Sequence, residues 1–96
     1  EVTGMIQAII LIKVERTSIP RTAQQLLAIE GVQEVFSVTG EYDLVAMVRV
    51  REYDSLAEVV TEKIARITTI QDTSTMVAFK VYSREDLEQT WQIGVD

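Results

Sequence analysis

The sequence contains neither cysteine nor histidine. Without cysteine it has no disulfide framework, no thiolate nucleophile and no zinc-ribbon site. Without histidine it lacks the commonest general base and a common transition-metal ligand. We therefore predict that the chain is not an enzyme, with no catalytic residue, no metal site and no cofactor.

Positive charge is also scarce: nine Lys and Arg stand against fifteen Asp and Glu, for a net charge of −6. Nucleic-acid binding needs a basic patch that displaces counterions from phosphates, and here the basic residues are scattered. The longest apolar run, Ala8 to Ile12, is too short to span a bilayer. These features predict a cytoplasmic protein that binds neither nucleic acid nor membrane directly.

The length of 96 residues predicts one domain, spanning 1–96. Residues 1–4 are a possible leader or tag, since the sequence opens with Glu1 and Met5 stands where the first strand begins. Residues 83–96 form a predicted C-terminal tail, a short helix in which Leu87 and Trp91 share a face. Hydrophobic residues make up 47% of the chain, which is rich for this size and favours self-association.

Four runs rich in β-branched and apolar residues predict strands. They are Met5–Val14, Val32–Thr39, Leu44–Arg51 and Thr75–Tyr82. The segments after the first and the third of these runs predict helices, so the order is β-α-β-β-α-β. That order favours an α+β, ferredoxin-like fold, with a four-stranded antiparallel sheet, two helices on one face, and the first and third strands in the centre.

The two predicted helices are marked by their ends and by their apolar stripes. The first begins at Thr17 or Ser18, carries Pro20 in its first turn and ends at Gly31. The second begins at a capping box, Ser55-x-x-Glu58, with Asp54 as a competing cap. The expected buried stripes are Ile19, Ala23, Leu26 and Leu27 in the first helix, and Leu56, Val59, Val60, Ile64 and Ile67 in the second.

Both faces of the central strands are apolar, although two helices cover only one face of such a sheet. If Ile10 and Val48 face the helices, the uncovered face carries a second apolar set. Its members are Met5, Ile9, Leu11, Val45 and Met47. We therefore predict a homodimer in which the two sheets face each other.

The segment Val38–Leu44 predicts a β-hairpin between the second and third strands. Gly40 supplies a positive φ, and Glu41, Tyr42 and Asp43 follow at the tip. Two interpretations stay open here. The segment is either a turn with a packed tyrosine, or a rigid tip that presents polar groups to a ligand or to a neighbouring subunit.

These residues resemble the effector-binding (RAM) domain of the Lrp/AsnC, or feast/famine, family of transcription regulators, in a stand-alone form without the helix-turn-helix. The similarity extends from Met5 to Tyr82, and its specific part is the Gly-x-Tyr-Asp hairpin. Other matching features are Gly31-Val32, Asp54-Ser55-Leu56 and Thr73-x-Thr75. The sequence departs from the family at Thr68-Thr69-Ile70, where Gly-Val is usual.

The resemblance implies a dimeric α/β barrel that assembles further, commonly into octameric rings. It also implies amino-acid-like effectors bound at contacts between dimers, and possible co-assembly with a full-length Lrp/AsnC regulator. By motif position, Gly40, Glu41, Tyr42 and Asp43 form one wall of the site. Thr73, Ser74 and Thr75, from an adjacent subunit, form the other.

The side chains of that site suit a zwitterion. Backbone N–H groups at a glycine turn and threonine hydroxyls can hold a carboxylate, and Asp43 or Glu41 can accept from an ammonium. Each residue type also has a structural explanation: threonines favour strands, and Asp43 can bond backbone amides to brace its own hairpin. For Asp43 the bracing role is as well supported as ligand contact, and the two are compatible.

Three functions are compatible with these features, beside a purely structural oligomer with an empty cleft. The first is an amino-acid-like effector sensor that acts in transcription through partners rather than by binding DNA itself. The second is an ACT-like regulatory module, which usually associates through sheet edges, so the two-faced apolar sheet counts against it. The third is a small dimeric α/β-barrel enzyme, which would have to rely on carboxylates and on Tyr42, Tyr53 or Tyr82.

Overall fold

The computed structural model describes residues 4–84 of the chain. The strands are β1 (Ile6–Val14), β2 (Val32–Ser37), β3 (Leu44–Val50) and β4 (Ile70–Val77). Helix α1 spans Ile19–Leu27 after a 3₁₀ turn at Arg16–Ser18. Helix α2 spans Tyr53–Glu58 and continues as a π-helical turn, Val59–Lys63, and a 3₁₀ turn, Ile64–Arg66. The predicted helical tail with Leu87 and Trp91 lies outside the described residues.

The four strands form one antiparallel sheet in the order β2-β3-β1-β4. The first and third strands are central, as predicted, and the βαββαβ order gives the predicted ferredoxin-like α+β fold. Within residues 4–84, no helix is long and apolar enough to cross a bilayer.

The predicted bounds of the last strand, Thr75–Tyr82, are wrong, since β4 begins five residues earlier. Thr73, Ser74 and Thr75 pair with Ile12, Leu11 and Ile10 of β1. Polar residues are tolerated here because β4 is an edge strand, and threonine itself favours extended structure. The apolar residues after Val77, which suggested a strand, include the fully exposed Phe79.

The predicted side-chain caps are wrong at both helices. Ser18 is the N-cap of α1, but its side chain makes no capping bond and its hydroxyl instead donates to Glu15 Oε1, 3.2 Å away. Helix α2 begins two residues before Ser55, with Glu52 as an uncapped N-cap residue. Because a side-chain oxygen caps only from its own N-cap position, the Ser55–Glu58 pair inside the helix cannot act as a capping box.

The buried stripe of α1 differs from the predicted one at two positions. Leu26 is fully buried as expected, but Leu27 is 50% exposed. The fully buried Thr22 shares the covered side instead, and its Oγ1 lies 2.6 Å from Thr69 Oγ1 in a hydrogen bond. The two threonines join α1 to the segment before β4. In α2 and its continuation, Leu56, Val59 and Ile64 are buried as predicted.

The two faces of the sheet have different surroundings. The helix-covered face holds the core, in which Ile10, Ile12, Leu44 and Ala46 are fully buried. The opposite face, called here the open face, includes six apolar side chains that neighbour one another across all four strands. They are Ile9, Leu11, Phe36, Val45, Met47 and Met76.

Candidate functional site

The hairpin between β2 and β3 is held by the backbone and joined to β1. Val38 N donates to Asp43 O at 3.0 Å, and Asp43 N donates to Ile12 O at 2.9 Å. Gly40 has φ +114°, and a β-carbon there would meet no atom within 4 Å. Glycine is therefore favoured at this position by the backbone conformation rather than by crowding.

Asp43 links the hairpin to the end of β1. Its Oδ2 accepts from Val14 N at 2.9 Å, at the point where the β1–β4 pairing shifts register. The carboxylate thus braces the structure, but through an amide of the neighbouring strand and not of its own hairpin. Asp43 Oδ1 makes no hydrogen bond within residues 4–84, so one carboxylate oxygen can still accept from a ligand.

The remaining hairpin residues present polar groups at the same end of the sheet. Lys13 Nζ donates to the carbonyl oxygen of Glu41 at 2.9 Å, and Lys13 lies opposite Asp72 in the β1–β4 register. Glu41 is exposed and Tyr42 is half-buried. In the described part of the chain, neither the Glu41 carboxylate nor the Tyr42 hydroxyl has a hydrogen-bond partner.

The predicted second wall lies in the first half of β4, on the other side of β1. Thr73 and Thr75 share the helix-covered face with Ile12 and Ile10, whereas Ser74 lies on the open face opposite Leu11. Since β1 separates β3 from β4, the two predicted walls of one chain are two strand spacings, roughly 10 Å, apart. One chain therefore does not bring all seven predicted residues onto a single surface.

A cavity of about 270 Å³ lies at this end of the sheet. It is formed by the last turns after α2 and the start of β4, and includes Asp72 and Thr73 but none of Gly40–Asp43. A cavity of about 400 Å³ lies at the opposite end, where β3 ends and β2 begins, and includes Arg49. Among residues 4–84, no group of three or more acidic side chains is arranged to hold a metal ion.

Three charged residues near these features were not singled out from the sequence: Lys13, Asp72 and Arg49. Lys13 and Asp72 lie near the hairpin because of the register in which β1 pairs with β3 and β4. Arg49 lies at the larger cavity because β2 begins beside the end of β3. In the sequence, Lys13 and Arg49 alternate with apolar residues of β1 and β3. This alternation was the only signal that could have shown that both side chains lie on the same face of the sheet.

The fold and the hairpin define a ferredoxin-like α+β domain, and comparison with known proteins identifies its family. The family model described as the Lrp/AsnC ligand binding domain matches residues 7–87. The chain therefore belongs to the Lrp/AsnC ligand-binding domain family.

Curated relatives of the chain are named as transcriptional regulators. An uncharacterised HTH-type transcriptional regulator of Pyrococcus furiosus, PF0250, is 36% identical over 66% of this chain and 42% of its own length. The HTH-type transcriptional regulator FL11 of Pyrococcus abyssi is 32% identical over 78% of this chain and 49% of its own length. The chain spans about half the length of the curated relatives it matches.

Solved structures share the fold. TTHA0845 from Thermus thermophilus superposes with a TM-score of 0.77 and 37% identity, covering 82% of this chain and 99% of that one. AsnC from E. coli superposes with a TM-score of 0.76 and 26% identity, covering 81% of this chain and 53% of AsnC. This domain thus resembles both a protein of similar length and about half of a longer regulator.

Proposed function

We propose that this chain is an effector-sensing domain that binds a small, amino-acid-like molecule between its subunits. Gly40, Glu41, Tyr42 and Asp43 form one wall of the proposed site, and Thr73, Ser74 and Thr75 of an adjacent subunit form the other. Membership of a ligand-binding domain family, together with a hairpin that presents polar groups but lines neither of the two cavities described above, carries this proposal.

The incomplete site supports binding between subunits. Glu41 and Tyr42 have polar atoms without partners in residues 4–84, and the cavity at the same end of the sheet is lined by β4 and the turns before it rather than by the hairpin. Small-molecule sites usually bury most of the ligand surface. An exposed hairpin tip meets that condition only when a second copy covers it.

The charge at this end of the sheet suits a zwitterion. Lys13 donates from Nζ to the Glu41 carbonyl oxygen at 2.9 Å and lies opposite Asp72 in the β1–β4 register, and Glu41 and Asp43 are the acidic residues of the hairpin. An ammonium group is favoured beside these carboxylates, and a ligand carboxylate can take backbone N–H groups, hydroxyls or Lys13. Asp43 retains its bond to Val14 and receives the ligand through its other oxygen.

The open face supports the assembly that the site requires. Its six apolar side chains form one continuous patch, in which Phe36 and Met76 are each 47% exposed. Contiguous apolar patches of this kind mark protein–protein contacts. The proposed unit is a homodimer with its sheets face to face, a dimeric α/β barrel, that assembles further into an octamer-like ring.

Effector binding then acts on assembly. A ligand that touches two subunits binds the assembled state more tightly than the separated one, so it shifts the equilibrium towards assembly. With a net charge of −6, the chain acts through a partner, such as a full-length Lrp/AsnC regulator, rather than on DNA itself. The proposed location is the cytoplasm. Its role is regulatory rather than catalytic.

A thermal-shift screen against the twenty common amino acids tests the proposal. Ligand at 100 times its dissociation constant is expected to stabilise the protein by about 2.7 kcal/mol. Light scattering should show that the same ligand raises the assembled fraction. If no amino acid shifts the melting temperature, the proposed effector class is wrong.

Asp43→Asn and Asp54→Asn make a matched pair for the site. Both remove one carboxylate, but Asp54 is an exposed residue in the first turn of α2, remote from the hairpin. The Asp43 variant should lose the ligand-induced shift while the Asp54 variant keeps it. An Asp43 variant that is less stable but still responds to the ligand would leave Asp43 with the bracing role alone.

A further inference from the structure

The hairpin is joined to β1 by three consecutive residues at the end of that strand. Ile12 O accepts from Asp43 N at 2.9 Å, and Val14 N donates to Asp43 Oδ2, also at 2.9 Å. Both of these bonds end on Asp43, the last residue of the hairpin. Between them in sequence, Lys13 Nζ donates to Glu41 O at 2.9 Å, nearer the tip. Lys13 is therefore the residue of β1 that holds the tip of the hairpin rather than its base.

No other hydrogen bond within the described residues fixes the tip. The base of the hairpin is closed by Val38 N, which donates to Asp43 O at 3.0 Å. Within residues 39–42, the Glu41 carbonyl makes the only hydrogen bond to the described part of the chain. Gly40 has open space around it and Glu41 is exposed, so packing does not hold these two residues either. The orientation of the tip thus depends on Lys13.

Lys13 does not pair with the carboxylate that lies opposite it. In the β1–β4 register its partner is Asp72, and opposite charges at such positions commonly interact. Asp72 Oδ1 instead accepts from Thr73 N at 2.9 Å, and Lys13 forms no ion pair within residues 4–84. A charged donor strengthens a hydrogen bond to a neutral carbonyl. The Lys13 ammonium therefore bonds to the hairpin carbonyl even though a carboxylate lies on the neighbouring strand.

The bond from Lys13 sets the direction of the next backbone amide. A trans peptide is planar, so the C=O of Glu41 and the N–H of Tyr42 point in opposite directions. No peptide bond in residues 4–84 is cis. With Glu41 O turned towards Lys13 Nζ, the Tyr42 N–H points away from that ammonium, and it has no acceptor in the described part of the chain. This N–H is therefore free to donate to a ligand.

From these observations we propose that Lys13 is a positioning residue of the hairpin site. Its ammonium holds the Glu41 carbonyl and thereby aims the Tyr42 N–H at the carboxylate of the effector. This role rests on the proposed function, in which the hairpin forms one wall of an effector site. Rotation of the Glu41–Tyr42 peptide would present a carbonyl oxygen instead, which repels a carboxylate. Lys13 thus acts on affinity through the peptide and not by its own contact with the ligand.

NMR of the ligand-free chain tests the orientation. Lys13→Met removes the ammonium but keeps an unbranched side chain. In this variant the carbonyl carbon resonance of Glu41 and the amide resonance of Tyr42 should both move, because the bond to the Glu41 carbonyl is lost. Lys13→Arg retains a charged donor and should move them less. Lys63→Met, which removes an exposed lysine at the opposite end of the sheet, should leave both resonances unchanged.

Calorimetric titration measures the consequence for binding. The probe is the amino acid that gives the largest thermal shift with the natural sequence in the screen described above. Lys13→Met should weaken its binding about tenfold, the effect of losing one well-placed hydrogen bond. Lys13→Arg should restore most of the affinity, and Lys63→Met should not change it. The melting temperature of the ligand-free Lys13 variants should stay close to that of the natural sequence, because Lys13 is exposed.

Two outcomes would overturn the positioning role. Weakened binding in Lys13→Met with unmoved Glu41 and Tyr42 resonances would mean that Lys13 contacts the ligand directly. Moved resonances with unchanged affinity would mean that the bond shapes the hairpin without serving the site. If Lys13→Met fails to fold, Lys13→Gln takes its place in both measurements. If no amino acid binds the natural sequence, the proposed function fails and the role in affinity with it, whereas the resonances separately decide whether Lys13 orients the peptide.

Discussion

The two faces of this sheet are built from the same kind of side chain but are covered differently. Leu44 and Val45 are neighbours in β3 and point to opposite faces; Leu44 is fully buried, whereas Val45 is only partly buried. On one face two helices complete the core, and on the other nothing in residues 4–84 does. The sheet is therefore apolar on both faces, but within residues 4–84 only one of them is covered.

In the proposed assembly, the covered face folds the chain and the open face joins it to a second copy. Burial against the helices stabilises a single subunit at any concentration. Burial of the open face against a second copy would stabilise it to an extent that increases with protein concentration. Substitutions on the two faces should therefore be distinguished by whether their effects depend on concentration.

The largest effect is expected from Leu44→Ala. Removing a fully buried leucine leaves a cavity and should lower the free energy of unfolding by about 3–4 kcal/mol. Urea denaturation should show this loss at every protein concentration. Val45→Ala is the matched control on the open face and should cost about 1 kcal/mol or less in dilute solution. Equal losses at all concentrations would remove the distinction between the faces.

A smaller effect is expected at the glycine that precedes β2. Gly31 has φ +103°, and a β-carbon there would lie 3.0 Å from Cγ1 of Val50, a buried residue of the covered face. Gly31→Ala should cost about 2–3 kcal/mol, and Gly40→Ala, where the conformation is similar but space is open, about 1–2 kcal/mol. Thermal denaturation checks the order, and a larger loss at Gly40 would contradict it.

The polar contact inside the covered layer gives the next prediction. Thr69→Val leaves the buried Thr22 hydroxyl without its partner and should cost about 1–2 kcal/mol. Replacing both threonines by valine removes the unpaired hydroxyl, so the double variant should recover most of that loss. A double variant as unstable as the sum of the two single variants would mean that the 2.6 Å hydrogen bond is not what joins these segments.

The smallest effect on folding is expected on the open face. Phe36→Ser removes a side chain that is 47% exposed and should change monomer stability by less than about 0.5 kcal/mol. It should nevertheless weaken dimerisation about tenfold or more, because aromatic side chains dominate interface energetics. Leu27→Ser, which removes a similarly exposed residue on α1, is the control and should leave dimerisation unchanged. Sedimentation velocity measures both.

The fold could be predicted because its central strands are evident from local patterns. β1 and β3 are largely apolar runs, and Gly31, after α1, has the predicted positive φ. The start of β4 could not be located, since threonine and serine favour both strands and polar turns, and only pairing with Ile10–Ile12 decides between them. Thr22 rather than Leu27 is buried because the orientation of a helix depends on partners distant in the chain, here Thr69.

The candidate site could be predicted less completely, for a related reason. The hairpin tip is local, and its turn residues are visible in the sequence. The bond from Val14 to Asp43 depends on strand register, which no local pattern specifies. The positions of these residues are set by contacts between strands and helices, which the composition of the sequence does not reveal.

Sedimentation equilibrium of the natural sequence at micromolar concentration tests the central claim most directly. We expect a particle of at least twice the chain mass of 10.8 kDa, dissociating on dilution and held together by an amino-acid-like ligand. A single species of 10.8 kDa, unchanged by ligand, would contradict the claim that a second copy covers the open face and completes the hairpin site.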